Sequence, residues 1–159
     1  MTDLKPGDRA PAFDMPTDGG GRAKLADYAG KQLVLYFYPK DDTTGCTAEA
    51  HAFNAKLAEF EAAGARVLGV SKDTPKKHDA FKAKYGLTFP LGSDQTGEVV
   101  EAYGVWVEKS LYGRKYMGID RATFLIDSSG TIRKVWRKVK VAGHADAVLA
   151  EVKTAGASS

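Results

Sequence analysis

The stretch Leu33-Val34-Leu35-Tyr36-Phe37-Tyr38-Pro39-Lys40-Asp41-Asp42-Thr43-Thr44-Gly45-Cys46-Thr47-Ala48-Glu49 decides the architecture. Its first six residues are an unbroken apolar and aromatic run closed by a proline, which is how a strand buried on both faces reads, as in a parallel sheet. Such a strand belongs at the centre of its sheet. Over residues 47–63 the chain is rich in alanine, with Phe53, Leu57 and Phe60 spaced four and three apart. That single apolar stripe predicts one helix, stopped by Gly64.

Outward from this pair, residues 66–71 read as a second buried strand, and Asp73-Thr74-Pro75 opens a helix with a cap residue and a proline at its first position. Gly86 ends it. Residues 87–91 predict a short strand, 97–103 a short helix and 123–127 a strand that turns through Ser128-Ser129-Gly130 into a partner over 131–137. Residues 141–152 predict a closing helix, and 154–159 a frayed tail. The order β-α-β-α-β-α-β-β-α after an N-terminal extension describes an α/β chain of thioredoxin-like plan, a central mixed sheet flanked by helices.

Composition narrows the classes. A length of 159 residues suits one domain spanning 1–159, and 43% hydrophobic with 27% charged residues is ordinary globular usage. A net charge of +3 is too small to argue for nucleic acid. The lone cysteine excludes a disulfide framework and any internal dithiol relay, and it fits a reducing compartment. Residues 1–16 lack a basic start followed by an apolar run, and no stretch approaches a membrane span, so a cytoplasmic protein with no membrane partner is expected.

Cys46 falls in the first turn of the predicted helix, where free N–H groups and the positive dipole end favour a thiolate. A lone cysteine is often just a small buried hydrophobe. Here glycine and hydroxyl neighbours at a helix start point instead to a reactive sulfur.

Pro39-x-x-x-Thr43-x-x-Cys46 resembles the peroxidatic motif of the peroxiredoxins, and YFYPKDDTTGCTAEA is similar to the bacterioferritin-comigratory (PrxQ) subfamily. Further similar segments are KPGDRAPAF near the start, FPLGSD at 89–94, YGVW at 103–106 and GIDRATFLIDSSG at 118–130, so the likeness runs from about residue 4 to 152. The resemblance implies a thioredoxin-like fold with an N-terminal peroxiredoxin extension and a peroxidase acting on hydrogen peroxide and organic hydroperoxides without a cofactor. It makes Cys46 the nucleophile. Thr43 would place its hydroxyl beside the sulfur, donating to the peroxide or thiolate and accepting the substrate's proton. Arg121 would arrive from a neighbouring strand to stabilise thiolate and developing oxyanion charge. Pro39 would wall the sulfur from water, backbone N–H groups near Gly45 and Cys46 would hold the peroxide, and Glu49 would orient the arginine.

Many PrxQ members carry a second, resolving cysteine. The two places it occupies hold His51 and Lys82 here, so the resemblance is to a one-cysteine type. Its sulfenic acid would be regenerated by an external thiol, thioredoxin or glutathione with glutaredoxin, in a monomer or weak homodimer. Thr44 replaces a proline common in the subfamily. The main alternative is a redox-sensing interaction protein that signals through Cys46 oxidation or an intermolecular disulfide. A thioredoxin-fold binding module without chemistry is opposed by the joint presence of Pro39, Thr43, Cys46 and Arg121.

A Cys46/His51 hydrolytic pair fails on geometry, because five helical residues turn about 500° and leave the two about 140° apart around the axis. His51, His78 and His144 have no companion at metal-ligand spacing. The basic run Arg133, Lys134, Arg137, Lys138, Lys140 reads as solvated edge charge, and Gly19-Gly20-Gly21-Arg22 as a turn and not a phosphate loop.

Overall fold

The apolar run becomes strand β3 (Gln32–Phe37), third of five in a mixed sheet. In the computed structural model, which describes residues 4–157, β3 pairs in parallel with β4 (Ala65–Ser71) and antiparallel with β8 (Ala122–Ile126). The short β5 (Leu91–Ser93) flanks β4 and β9 (Ile132–Trp136) flanks β8, giving the order β5-β4-β3-β8-β9. Alternate side chains of β3 enter two separate cores. Leu33, Leu35 and Phe37 pack with Leu68, Phe124 and Tyr103 on one face. Val34, Tyr36 and Tyr38 pack with Val67, Phe53 and Phe81 on the other. A strand covered on both sides has no polar face, which is why its sequence does not alternate.

The single helix expected over 47–63 is two, α1 (Thr44–Ala55) and α2 (Leu57–Ala62). Lys56 leaves helical geometry at φ −108°, ψ 8°, and its N–H bonds to Phe53 O at 3.1 Å, one residue short of the α pattern. Nearby, the Asn54 side chain is drawn out to Gly86 O and to Thr88. No glycine or proline announces the break. Helix α3 (Pro75–Tyr85) follows the reading: Thr74 caps Lys77 N at 3.2 Å, and Gly86 closes it in the left-handed region at φ 66°.

The strand expected at 87–91 lies instead at Leu91–Ser93, because Leu87 and Phe89 are core plugs behind α3 and Pro90 has no N–H for a ladder. Helix α4 (Glu98–Ala102) and α5 (His144–Ala157) complete the helices. The frayed tail placed at 154–159 is corrected up to Ala157, where α5 continues; Ser158 and Ser159 lie outside the described residues.

Two hairpins are additional to the predicted order. β1 (Asp14–Pro16) pairs with β2 (Arg22–Lys24) around the Gly19-Gly20 turn. β6 (Trp106–Leu111) pairs with β7 (Arg114–Ile119). The second closes through Tyr112 (φ 51°) and Gly113 (φ 77°), two consecutive left-handed residues that make the turn which suits a hairpin's twist. A tyrosine in the first place conceals that turn from composition. The basic run lies on the sheet's edge strand β9 and just past it; Lys134 pairs with Glu151 at 3.3 Å and Arg137 stands over Phe124. No helix among the described residues is long and apolar enough to cross a membrane.

Candidate active site

The loop between β3 and α1 is fastened by buried polar contacts. Tyr38 donates its hydroxyl to Asp41 at 2.5 Å, Asp41 Oδ2 meets His78 Nδ1 at 2.6 Å, and His78 Nε2 meets Gly92 O at 2.9 Å. A carbonyl only accepts, so Nε2 carries a proton. The Asp41 N–H is held by Asp73, which also takes the Ser71 hydroxyl. Asp42, in the left-handed region at φ 59°, accepts from Tyr85 and Lys84 on α3. The loop therefore delivers the chain into α1 in one conformation.

Thr43 is the N-cap of α1, and Thr44, Gly45 and Cys46 occupy its first turn. The first helical bond runs from Thr47 N to Thr43 O at 2.8 Å, so the N–H groups ahead of it point out of the helix end beside the sulfur. Cys46 is 1% exposed, packed in the core that holds Tyr36, Ala50 and Phe53. Thr43 donates its hydroxyl to Lys40 O at 3.0 Å, which leaves its oxygen free only to accept. Pro39 lies exposed in the bend at the end of β3.

Arg121 comes from the connection between β7 and β8, one residue before β8 begins at Ala122, and not from a strand as expected. Its Nη2 donates to Cys46 Sγ at 3.3 Å and its Nη1 to Glu49 Oε1 at 2.7 Å. Glu49 lies three residues after Cys46 on the same face of α1, so one planar guanidinium spans both. Gly45 leaves room for the approach: a Cβ there would stand 3.1 Å from Nη2, a tight contact. Burial opposes the Arg121 charge, but Glu49 and Cys46 outweigh it and raise its hold on the proton.

Glu49 is 1% exposed, and its Oε2 has no hydrogen-bond partner among the described residues. Burial pushes its carboxyl up to about 7 even though Arg121 pulls it down. The folded value lies above the ordinary 4.5, so this group's contribution to stability is full below about pH 4.5 and is lost as pH rises through about 7. The ceiling is about 3 kcal/mol. Glu49→Gln should therefore flatten the decline in stability between about pH 4.5 and 7 measured by urea denaturation; equal slopes in both proteins would remove Glu49 as its source.

Two residues that composition did not single out join this charge cluster. Tyr36 has a buried hydroxyl with no partner among the described residues, its ionisation suppressed by burial and then by Glu49. His144 bonds Thr123 at 2.8 Å and is pushed down to about 4 by burial and Arg121, so its ring is neutral near pH 7. His51 is exposed on α1 and meets only the edge of Tyr85, while Lys82 pairs with Asp18 at 2.7 Å. A cavity of about 400 Å³ bordered by Arg9, Tyr28, Leu33 and Ile126 lies at the opposite end of β3 and includes none of the residues around Cys46.

A thioredoxin-like sheet with one thiol at a helix start, bridged by an arginine to a buried carboxyl, defines a protein organised around a single redox-capable sulfur. The AhpC/TSA family model matches residues 6–135. The chain is 53% identical to Peroxiredoxin Bcp of Xanthomonas campestris over 146 residues, 91% of each chain. It superposes on a cysteine-to-serine variant of Xylella fastidiosa PrxQ with a TM-score of 0.92 at 42% identity, over 98% of this chain and 99% of that one. Against the bacterioferritin comigratory protein of X. campestris, studied for its alkyl peroxide reduction activity, the TM-score is 0.88 at 47% identity over 98% of both chains. The chain belongs to the AhpC/TSA family, within its Bcp (PrxQ) group of peroxiredoxins.

Proposed function

We propose that this single-domain chain is a one-cysteine thiol peroxidase of a reducing compartment, the cytoplasm, acting on hydrogen peroxide and organic hydroperoxides. The observation that carries the reading is the Arg121 guanidinium joined to Cys46 Sγ and to Glu49. The Cys46 thiolate attacks the hydroxyl-bearing oxygen of the peroxide. The O–O bond breaks, sulfur keeps the OH as a sulfenic acid, and the departing oxygen leaves as water or an alcohol after taking a proton. Arg121 and the N–H groups of the first turn stabilise the charge that gathers on that oxygen. Thr43, its own proton committed to Lys40 O, accepts a hydrogen bond from the substrate. Glu49 sets the plane of the guanidinium, and Pro39 borders the entry.

With His51 and Lys82 at the resolving positions, the sulfenic acid is condensed with an external thiol, which expels water and forms a mixed disulfide; a second thiol then returns Cys46 to the reduced state. The donor is thioredoxin or glutathione with glutaredoxin. NADPH-coupled peroxide turnover with each system, followed by mass spectrometry of the Cys46 adduct, tests this. Many turnovers with one donor support the enzyme. A single stoichiometric oxidation with every donor would overturn it in favour of a redox-sensing interaction protein.

A further inference from the structure

The cavity of about 400 Å³ at the start of β3 is built on fixed backbone. Leu33 and Ile126, each 1% exposed and paired across β3 and β8, form its floor. Leu25 and Tyr28, partly buried against the same core, form a wall that ends at Ala29. Gly30 N donates to Ser128 O at 3.0 Å and Ala10 N to Gly130 O at 2.9 Å, so the segment before β3 and the N-terminal extension are both tied to the turn between β8 and β9. The floor is apolar, and the unpaired polar groups around it are donors. Arg9 and Lys31 border the cavity, both exposed, and neither side chain has an ion-pair or hydrogen-bond partner among the described residues. The Arg9 guanidinium lies along the turn, its Nη2 3.8 Å from where a Cβ on Gly130 would stand. The Tyr28 hydroxyl also lacks a partner among the described residues, and burial, then Asp27, favours its protonated form. The one carboxylate on the border, Asp127, is engaged by its own turn: its Oδ1 accepts from Ser129 N at 2.9 Å, the Ser129 hydroxyl at 2.8 Å and Thr131 N at 2.9 Å. Small-molecule sites occupy roughly 300–1,000 Å³ and combine apolar walls with a few polar groups that fix the head of the ligand.

We propose that this cavity is a binding site for an amphipathic carboxylate, its aliphatic chain lying on Leu33 and Ile126 and its head group meeting Arg9 and Lys31. A guanidinium offers a carboxylate two parallel N–H donors. Two cations and a phenol favour an anion over an alcohol of the same length and turn back a cation. None of the residues around Cys46 takes part, so the site is separate from the sulfur chemistry.

The test titrates the full chain with octanoate at low ionic strength and follows the methyl NMR signals of Leu25, Leu33 and Ile126. Those signals should shift saturably, with one octanoate bound per chain. Arg9→Gln should weaken binding about tenfold, the scale of one lost charge-assisted hydrogen bond, and Arg9→Lys should recover part of it. Ala29→Phe, which fills the cavity from an exposed position, should abolish binding. Octanol should bind about tenfold more weakly than octanoate and be indifferent to Arg9→Gln. Absence of a saturable shift at the three methyl groups of the parent chain overturns the proposal whatever the variants do. Octanol binding as tightly as octanoate overturns it too, as does an octanoate affinity that neither Arg9→Gln nor Ala29→Phe changes.

Discussion

Cys46→Ser should reduce peroxide consumption to the uncatalysed background, a fall of about 10⁴-fold or more given the accelerations enzymes commonly provide. A serine hydroxyl in the same place keeps the helix-end N–H groups and Arg121 but is not ionised by them, and an alcohol oxygen is a poor nucleophile toward O–O bonds. No second thiol exists in the chain to take over. The fold should tolerate the change, because serine is small and well suited to a helix start, so melting should shift by the equivalent of about 1 kcal/mol or less. Stopped-flow peroxide consumption on the folded variant is the measurement. Retention of most of the parent's rate would end the proposed mechanism.

Arg121→Ala carries the second largest effect, on two quantities. The reaction with peroxide should slow by about 10²- to 10³-fold, the scale on which removal of one preorganised donor to developing charge is felt. Stability should also fall, because Glu49 is 1% exposed and loses the only hydrogen-bond partner that its carboxylate has among the described residues. Breaking a buried pair costs about 3–5 kcal/mol; the lower end applies because Glu49 already holds its proton up to about pH 7 and escapes by protonation once Arg121 is gone. The double variant Arg121→Ala/Glu49→Gln separates the two effects. Urea denaturation should show its stability recovering, while its rate with peroxide stays low. Unchanged rates of Arg121→Ala with both peroxide and iodoacetamide would take Arg121 out of the site.

The parts of this site that were legible in the chain are those written in local chemistry. The β3 run, the turn into α1 and the Thr74-Pro75 to Gly86 frame of α3 each carry their own start or stop residues. What was not legible depends on distant partners. Glu49 is buried and bonded to an arginine 72 residues away in the chain, and a glutamate near a helix start reads as solvent-exposed until that is known. The β6–β7 hairpin hides because its apolar residues point outward and its turn begins with Tyr112. The kink at Lys56 likewise follows from no local breaker.

The near-complete enclosure of Cys46 has a kinetic corollary. In the proposed cycle one sulfur meets two reactants of very different bulk, an oxidant whose reacting end is two oxygens and a reductant that brings a carbon chain or a whole protein. A sulfur that is 1% exposed favours the smaller of the two reactants over the larger. The proposed cycle therefore requires its bulkier reactant to find the sulfur more exposed than it stands in the folded chain.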